Sequence, residues 1–256
     1  MKLLIKLGGT LLDETKSRER LAAELTALSR AHQLTVVHGG GKQMTRYLAE
    51  RGVESQFLNG LRVTTPEVVD ALLKVFAGSV NHELVAAFVR AGAEPVGLTG
   101  IDALLTEAEL LSPDLGQVGK PIRSNARLLE VLTSHGFLPV VACVAANRQG
   151  EIFNVNADQM AVACAIGFSA EELVFLTDVP GVKGADGQVC PHLTVAQCRD
   201  LIAQGIATGG MEAKLNSACD ALAGGVASVV IAPGAHPDAV SLLLNRQPLG
   251  TRITSS

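Results

Sequence analysis

Apolar and polar positions follow two different periods along this chain. Short apolar runs such as Leu3–Ile5 and Leu34–Val37 predict buried β-strands. Between them, the segment 18–30 carries Leu21, Leu25 and Leu28 at the spacing of an amphipathic helix. Strands that alternate with helices in this way predict an α/β fold with a mainly parallel sheet covered by helices on both faces.

The same alternation continues to the last residues. Further strands are predicted at 95–98, 137–141, 173–176, 227–231 and 250–253, and further helices at 66–76, 81–91, 125–135, 157–166, 195–204, 211–223 and 238–243. There is no fixed-period repeat and no flexible linker, so we predict a single domain over 1–256 with a functional division near residue 150. The segment 112–121, rich in proline and glycine, is the expected excursion from the sheet.

Two predicted strands end in glycine-rich turns. Lys6-Leu7-Gly8-Gly9 ends the first, and His38-Gly39-Gly40-Gly41 ends the second. Glycine lets an anion approach backbone N–H groups closely, and a lysine supplies the opposite charge. Neither turn has the Walker A pattern or the G-x-G-x-x-G of a dinucleotide site. Each alone is also consistent with an ordinary turn, and Lys6 with an edge lysine that reaches solvent. Together they predict phosphate binding.

Charged residues near the starts of two predicted helices are further candidates for a functional site. Asn156 and Gln159 predict a capped helix, which puts Asp158 in the first turn and leaves Asn154 outside the helix. Lys214 lies near the start of the predicted helix 211–223, where the helix dipole disfavours a cation. A lysine at that position indicates an anionic partner.

Two loops allow more than one interpretation. The segment 178–183 follows a predicted strand and is either a plain turn or a nucleotide-binding loop. Arg62, flanked by apolar residues, is suited either to bidentate binding of a carboxylate or to a structural ion pair.

The composition of the chain limits the classes of partner that we expect. The chain has 256 residues, a net charge of −4, 3% aromatic residues and no run of Lys or Arg, so nucleic acid is not an expected partner. Its apolar stretches are too short for a membrane span, and the apolar start is too short for a signal peptide. The five scattered cysteines lack a C-x-x-C pair, which predicts no metal site, no disulfide framework and a cytoplasmic location.

In combination, these motifs resemble the amino acid kinase family, and within it the acetylglutamate kinases. The resemblance runs in order along nearly the whole chain, through the motifs Lys6–Gly9, His38–Gly41, Asn59–Thr64, Gly136–Val140, Asn154–Asp158, Thr177–Gly181, Gly210–Lys214 and Gly250–Ile253. It implies a three-layer α/β/α sandwich on a mainly parallel central sheet. It also implies ATP-dependent phosphorylation of the side-chain carboxylate of N-acetyl-L-glutamate to N-acetyl-L-glutamyl 5-phosphate, a step of arginine biosynthesis.

The resemblance assigns roles to the candidates. Lys6 and Lys214 stabilise the transferring phosphoryl group, and Asp158 holds both lysines. The acyl amino acid lies in the lobe of about 1–150, in contact with Gly40, Gly41, Arg62 and Asn154. ATP, with Mg²⁺ bound to the nucleotide, lies in the lobe of about 151–256 and contacts Gly8, Gly9, Asp178, Val179, Pro180, Gly181, Val182, Lys183, Ile206, Ala207 and Thr208.

Regulation and rival functions are also part of the expectation. Members of the family that respond to arginine carry a helix before the first strand, and here that strand begins close to Met1. We therefore expect a homodimer without arginine feedback. The alternatives are a kinase of carrier-linked α-aminoadipate, a non-catalytic sensor of amino acids or nucleotides, and a nicotinamide dehydrogenase. The motif Asn59–Arg62 favours acetylglutamate, and the joint presence of Lys6, Asp158 and Lys214 argues against a sensor.

Overall fold

The computed structural model describes every residue from Met1 to Ser256 and contains fourteen strands and nine α-helices. The strands are β1 (Lys2–Leu7), β2 (Gln33–His38), β3 (Phe57–Leu58), β4 (Leu61–Arg62), β5 (Pro95–Thr99), β6 (Thr106–Leu110), β7 (Val118–Ser124), β8 (Leu138–Ala142), β9 (Val144–Ala146), β10 (Ile152–Val155), β11 (Glu172–Thr177), β12 (His192–Thr194), β13 (Ser228–Pro233) and β14 (Thr251–Thr254). The helices are α1 (Thr15–Ser29), α2 (Gly41–Ala49), α3 (Pro66–Leu72), α4 (Asn81–Arg90), α5 (Arg127–Ser134), α6 (Ala157–Phe168), α7 (Val195–Ala203), α8 (Gly209–Ala223) and α9 (Ala239–Leu244).

Eight strands form one central sheet, in the order β12-β14-β13-β11-β1-β2-β8-β5. Every pairing is parallel except that of β13 with β14. Helices cover the sheet, so the predicted α/β fold with a mainly parallel central sheet is confirmed. Because β1 lies between β11 and β2, the turn that follows it is near the middle of the sheet edge where the parallel strands end.

The strands of this sheet are apolar without alternation because both faces are covered. In β1, Leu3 to Leu7 are all buried, and β11 is buried throughout. One continuous cluster of 64 buried residues runs from Leu3 to Ile253 and includes residues from both halves of the chain. The predicted division near residue 150 therefore does not interrupt the hydrophobic core.

A second, small sheet was not predicted. Strands β10, β7, β6 and β9 pair into a four-stranded sheet that closes on itself. The segment 112–121 leaves the central sheet as predicted, and it forms a 3₁₀ turn at Pro113–Leu115 before it enters β7 of the small sheet. Gly119 of β7 packs against Phe153 so closely that a Cβ would lie 2.5 Å from the phenylalanine Cβ. Short strands that contain glycine and proline carry no strong periodic signal, and long-range pairing decides their structure.

The two helices predicted at 66–76 and 81–91 are joined. A π-helical segment, Leu73–Val80, connects α3 to α4, so the helix runs without a break from Pro66 to Arg90. Thr65 caps its start, accepting a hydrogen bond from the Val68 N–H. The joined helix reaches the length and composition of a membrane span only because the π-helical segment connects two shorter helices. It also packs its buried face into the central core, as core helices of this length do.

The far edge of the sheet is held by a buried ion pair. Arg252 of β14 donates to Glu172 of β11, and the Ser228 hydroxyl of β13 donates to the same carboxylate at 2.7 Å. The Arg252 guanidinium also donates to the Leu243 carbonyl of α9 at 3.1 Å. Glu172 is only 2% exposed, so these contacts replace the hydration that its carboxylate loses on burial.

Replacing the arginine should therefore destabilise the fold. We expect Arg252→Met to lower the free energy of unfolding by about 3 kcal/mol, since it leaves a buried carboxylate without its cation. Chemical denaturation measures the change, with Arg246→Met at an exposed, unpaired arginine as the matched control. The double variant Glu172→Gln with Arg252→Met should recover part of the loss. Equal stability of Arg252→Met and the control contradicts the assignment.

Candidate active site

Parallel pairing of β1 with β2 brings the two glycine turns together. Leu7 is paired with His38, so the residues after each strand leave the sheet side by side. A Cβ on Gly9 would lie 3.5 Å from the Gly41 nitrogen. On the other side, the Gly8 N–H donates to the Leu176 carbonyl of β11 at 2.9 Å. The tightest approach to backbone is at Gly8, where a Cβ would lie 3.1 Å from the Leu176 carbonyl oxygen.

The triple-glycine turn ends in the start of a helix. Gly41 is the first residue of α2, and its N-cap, Gly40, offers no side chain to accept the first N–H groups. The Gln43 side chain instead donates to the Gly9 carbonyl at 3.4 Å and so links the two turns. A helix N-terminus with uncapped N–H groups favours an anion, through both hydrogen bonding and the helix dipole.

Asp158 lies between two lysines from distant parts of the chain. Its Oδ1 is 2.7 Å from Nζ of Lys6 in β1, and its Oδ2 is 3.0 Å from Nζ of Lys214 in α8. The predicted cap positions this carboxylate, since the Asn156 side chain accepts from the N–H groups of Asp158 and Gln159. The structure therefore joins the three residues that the sequence assigned to phosphoryl transfer.

The charges of this cluster do not cancel. Burial alone would raise the pKa of Asp158, but Lys6 and Lys214 outweigh it and hold the pKa below its usual value, so the carboxylate is ionised at neutral pH. Lys6 and Asp158 are each less than a tenth exposed. One negative charge faces two positive charges in a buried place, which leaves an excess positive charge. Such an arrangement favours a bound anion.

Arg62 has no acidic partner. Its guanidinium donates to the Ser55 hydroxyl, to the Thr45 hydroxyl at 2.8 Å and to the Gly41 carbonyl at 3.1 Å, and no carboxylate lies within ion-pair distance. The alternative of a structural ion pair is therefore wrong. Arg62 is 9% exposed, and burial lowers its pKa. A buried guanidinium bonded only to neutral groups can still take a carboxylate ligand.

Asn154 is tied to Arg62 through one threonine. Asn154 lies in β10, and its Nδ2 donates to the Thr64 hydroxyl at 3.0 Å. That hydroxyl donates in turn to the Arg62 carbonyl at 2.9 Å. Sequence reasoning assigned no role to Thr64, although it lies in the Asn59–Thr64 motif. Thr64 therefore fixes the positions of Asn154 and Arg62, the two predicted substrate-binding residues, relative to each other.

The two predicted ATP segments form one cavity. It has a volume of about 320 Å³ and is lined by Val179, Pro180, Gly181, Lys183, Ile206, Ala207, Thr208 and Met211. Met211 was not among the predicted residues. Asp178 lies outside this lining and accepts from the Thr177 hydroxyl at 3.1 Å. Val182 is fully buried, and its N–H donates to the Thr251 hydroxyl at 2.8 Å, so its side chain belongs to the core.

Known proteins share this architecture. A model of the amino acid kinase family matches residues 1–233. The chain belongs to this family. It is 60% identical to the acetylglutamate kinase of Solibacter usitatus and 43% identical to that of Acidobacterium capsulatum, with all of both chains covered in each comparison. These relatives confirm the family predicted from the sequence motifs.

Solved structures confirm the fold. The N-acetylglutamate synthase of Neisseria gonorrhoeae, complexed with coenzyme A and N-acetyl-glutamate, superimposes with a TM-score of 0.87 at 26% identity. This chain is covered completely and spans 59% of the synthase chain. Carbamate kinase from Giardia lamblia bound to AMP-PNP shares the fold at 16% identity and a TM-score of 0.74, over 100% of this chain and 98% of that one.

The two adjacent glycines should respond differently to alanine. A Cβ on Gly40 would lie 2.9 Å from the Phe76 ring, whereas one on Gly41 meets nothing within 4 Å. We expect Gly40→Ala to lower the free energy of unfolding by about 2 kcal/mol through overpacking, with partial recovery by Phe76→Leu. Gly41→Ala, the matched control, should stay within about 0.5 kcal/mol in the same denaturation experiment. Similar losses in both variants would show that steric contact with Phe76 is not the cause.

Proposed function

We infer that this chain is an acetylglutamate kinase. It transfers the γ-phosphoryl group of ATP to the side-chain carboxylate of N-acetyl-L-glutamate, which gives N-acetyl-L-glutamyl 5-phosphate for arginine biosynthesis. The observation that carries this inference is the buried cluster of Lys6, Asp158 and Lys214 beside two glycine turns, in a chain 60% identical to an acetylglutamate kinase over its full length.

The chemistry needs alignment and charge stabilisation rather than a base. A carboxylate is already a nucleophile, so no proton has to be removed from it. The barrier lies in bringing two anions together and in spreading charge over the phosphoryl oxygens. Lys6 and Lys214 supply the countercharge from opposite sides of Asp158. Asp158 holds both ammonium groups in place, without itself reacting.

The substrate has a second carboxylate that must not react. Arg62, buried and without an acidic partner, is suited to bind that α-carboxylate. Asn154 lies next to it through Thr64, and its amide can bond to the acyl amino acid. In this proposal the N–H groups of Gly40 and Gly41, at the start of α2, bind the same ligand. In this proposal the substrate occupies the lobe of residues 1–150.

ATP occupies the cavity between the segments 178–183 and 206–208, in the lobe of residues 151–256. Gly8 and Gly9 leave room for the phosphates to reach Lys6. Asp158 is already paired with both lysines, and no three His, Cys, Asp or Glu side chains lie close enough together to hold a metal ion. Mg²⁺ would therefore be held chiefly by the nucleotide and would neutralise phosphate charge. A homodimer and a cytoplasmic location complete the proposal.

The same residues give less support to the alternative functions. Burying two lysines around one carboxylate costs desolvation free energy. Phosphoryl transfer gives a reason for that cost, whereas a sensor that only binds a ligand has no need of both lysines. A carrier-linked substrate would favour a basic surface, whereas the chain has a net charge of −4. A dehydrogenase would require a dinucleotide turn, and neither glycine turn has its pattern.

A substrate panel tests the function directly. ADP release should be rapid with N-acetyl-L-glutamate and slow with glutamate, aspartate and N-acetyl-aminoadipate, because the acyl group and chain length must both fit. Arg62→Gln should raise the KM for N-acetyl-L-glutamate by roughly tenfold or more while leaving the KM for ATP near its original value. A preference for N-acetyl-aminoadipate would favour the carrier-linked alternative, and absence of turnover with every acceptor would favour the sensor.

The two lysines should act on turnover more than on substrate affinity. We expect Lys6→Met and Lys214→Met each to lower kcat by roughly a hundredfold, since one phosphoryl-stabilising contact contributes ~3 kcal/mol in the transition state. Steady-state kinetics on folded protein measures the change, and Lys42→Met, at an exposed lysine of α2, serves as the control. A kcat within a few-fold of the parent for Lys6→Met or Lys214→Met would refute the assigned roles.

A further inference from the structure

A buried polar relay lies directly behind the triple-glycine turn. His38, the last residue of β2, is fully buried. Its Nδ1 is 2.8 Å from the Gly39 carbonyl oxygen, and its Nε2 is 2.9 Å from Nδ2 of Asn81. A carbonyl oxygen only accepts hydrogen bonds, so Nδ1 carries the proton and donates. Nε2 is then the acceptor, and the Asn81 amide donates to it.

Contacts of both the amide nitrogen and the amide oxygen fix the orientation of the Asn81 side chain. The same Nδ2 donates its other hydrogen to the Val140 carbonyl of β8 at 2.9 Å. The amide oxygen faces Gly97 of β5, where a Cβ would lie only 2.3 Å away. Asn81 is 2% exposed, so no solvent competes for these bonds. Glycine at position 97 is therefore what admits the asparagine side chain.

The relay exists in one protonation state under physiological conditions. Complete burial lowers the pKa of His38 to about 4, so the imidazole is neutral near pH 7. A second proton on Nε2 would point at the Asn81 amide nitrogen, which is itself a donor. Asn81 thus selects both the neutral form and the tautomer that donates to Gly39.

The π-helical segment explains how two residues of one helix, Phe76 and Asn81, both contact the triple-glycine turn or the histidine before it. Residues five apart lie one turn apart in a π helix, whereas in an α-helix they lie on different sides. Phe76 and Asn81 therefore both face the glycine turn. The Phe76 ring packs against Gly40, and Asn81 holds His38. Segments of this kind occur frequently at functional sites.

Holding the Gly39 carbonyl also orients the neighbouring N–H. The Gly39 carbonyl and the Gly40 N–H belong to one planar trans peptide, so they point in opposite directions. When His38 binds the carbonyl on the core side, the Gly40 N–H is directed away from the core. The preceding carbonyl, that of His38, accepts from the Cys143 thiol, 2.6 Å away. Without such contacts, a glycine peptide could rotate freely.

We propose that His38 and Asn81 are positioning residues, which orient the Gly39–Gly40 peptide so that its N–H faces the carboxylate substrate. The proposal rests on the proposed function, because it assigns a cause to the geometry of that substrate site. Neither residue touches the reacting atoms, and both act through the backbone. The relay pre-organises N–H groups that would otherwise lose conformational entropy when the ligand binds.

A matched pair of variants at position 38 tests the relay. Asparagine can keep a donor near the place of Nδ1, whereas leucine has a similar size and no donor. We expect His38→Leu to raise the KM for N-acetyl-L-glutamate roughly tenfold, as the loss of one oriented hydrogen bond implies. His38→Asn should recover most of that affinity, and the KM for ATP should stay the same in both. Thr35→Val, a buried polar residue of β2 away from the turn, is the control and should leave both KM values unchanged.

A second readout does not depend on activity. Amide resonances of Gly39–Gly41 in ¹⁵N NMR spectra should broaden or shift in His38→Leu and remain close to those of the parent in His38→Asn. If His38→Leu does not fold, Asn81→Ala serves the same purpose, since it leaves the His38 ring without its Nε2 partner.

The outcomes separate this proposal from the function itself. If His38→Leu changes neither the Gly40 resonances nor the KM for N-acetyl-L-glutamate, the relay is overturned. It is also overturned if His38→Leu and His38→Asn each raise the KM for N-acetyl-L-glutamate and the KM for ATP by the same factor. If the parent protein phosphorylates no acyl amino acid, the proposed function fails, while the NMR comparison still decides whether His38 orients the turn.

Discussion

The site depends on one carboxylate shared by two lysines. Asp158, at the start of α6, joins Lys6 of β1 to Lys214 of α8. Strand β1 belongs to the central sheet, and α6 and α8 pack against it. Burying charges is costly unless each is paired, and here one of the three remains in excess. Hydrophobic side chains in the same place would serve stability as well or better. The excess positive charge therefore favours a bound anion, which in the proposed function is the phosphoryl group.

The second half of the site is made of backbone rather than side chains. The glycine turn after β2 leads into α2 without a side-chain cap on the first N–H groups, and the start of this helix adds its dipole. Such groups give direction only if the peptides themselves are held. The long helix from Pro66 to Arg90 does this from behind, through the Phe76 ring and the Asn81 amide. The glycine turn is thus backed by two buried side chains of this helix.

The fold by itself does not decide the activity. A synthase and a carbamate kinase share this architecture with the chain, although they carry out different reactions. The proposed function rests instead on particular residues, namely two lysines around Asp158 and an arginine that lacks an acidic partner. Arg62 is held by hydroxyl and carbonyl groups, which orient the guanidinium without neutralising it. Its charge therefore remains available to an anionic ligand.

The sequence by itself determined what depends on neighbours along the chain. The alternation of periods predicted the central sheet, and Asn156 with Gln159 predicted the helix start that carries Asp158, because these signals act within a few residues. The tertiary structure decided what depends on residues far apart. The closed sheet of β6, β7, β9 and β10 forms through long-range pairing of weak strands. The π-helical join, the absence of an acid near Arg62 and the His38–Asn81 relay arise only when separate elements pack. The opening motif with Lys6 could indicate an anion, but packing alone could bring Asp158 and Lys214 to it.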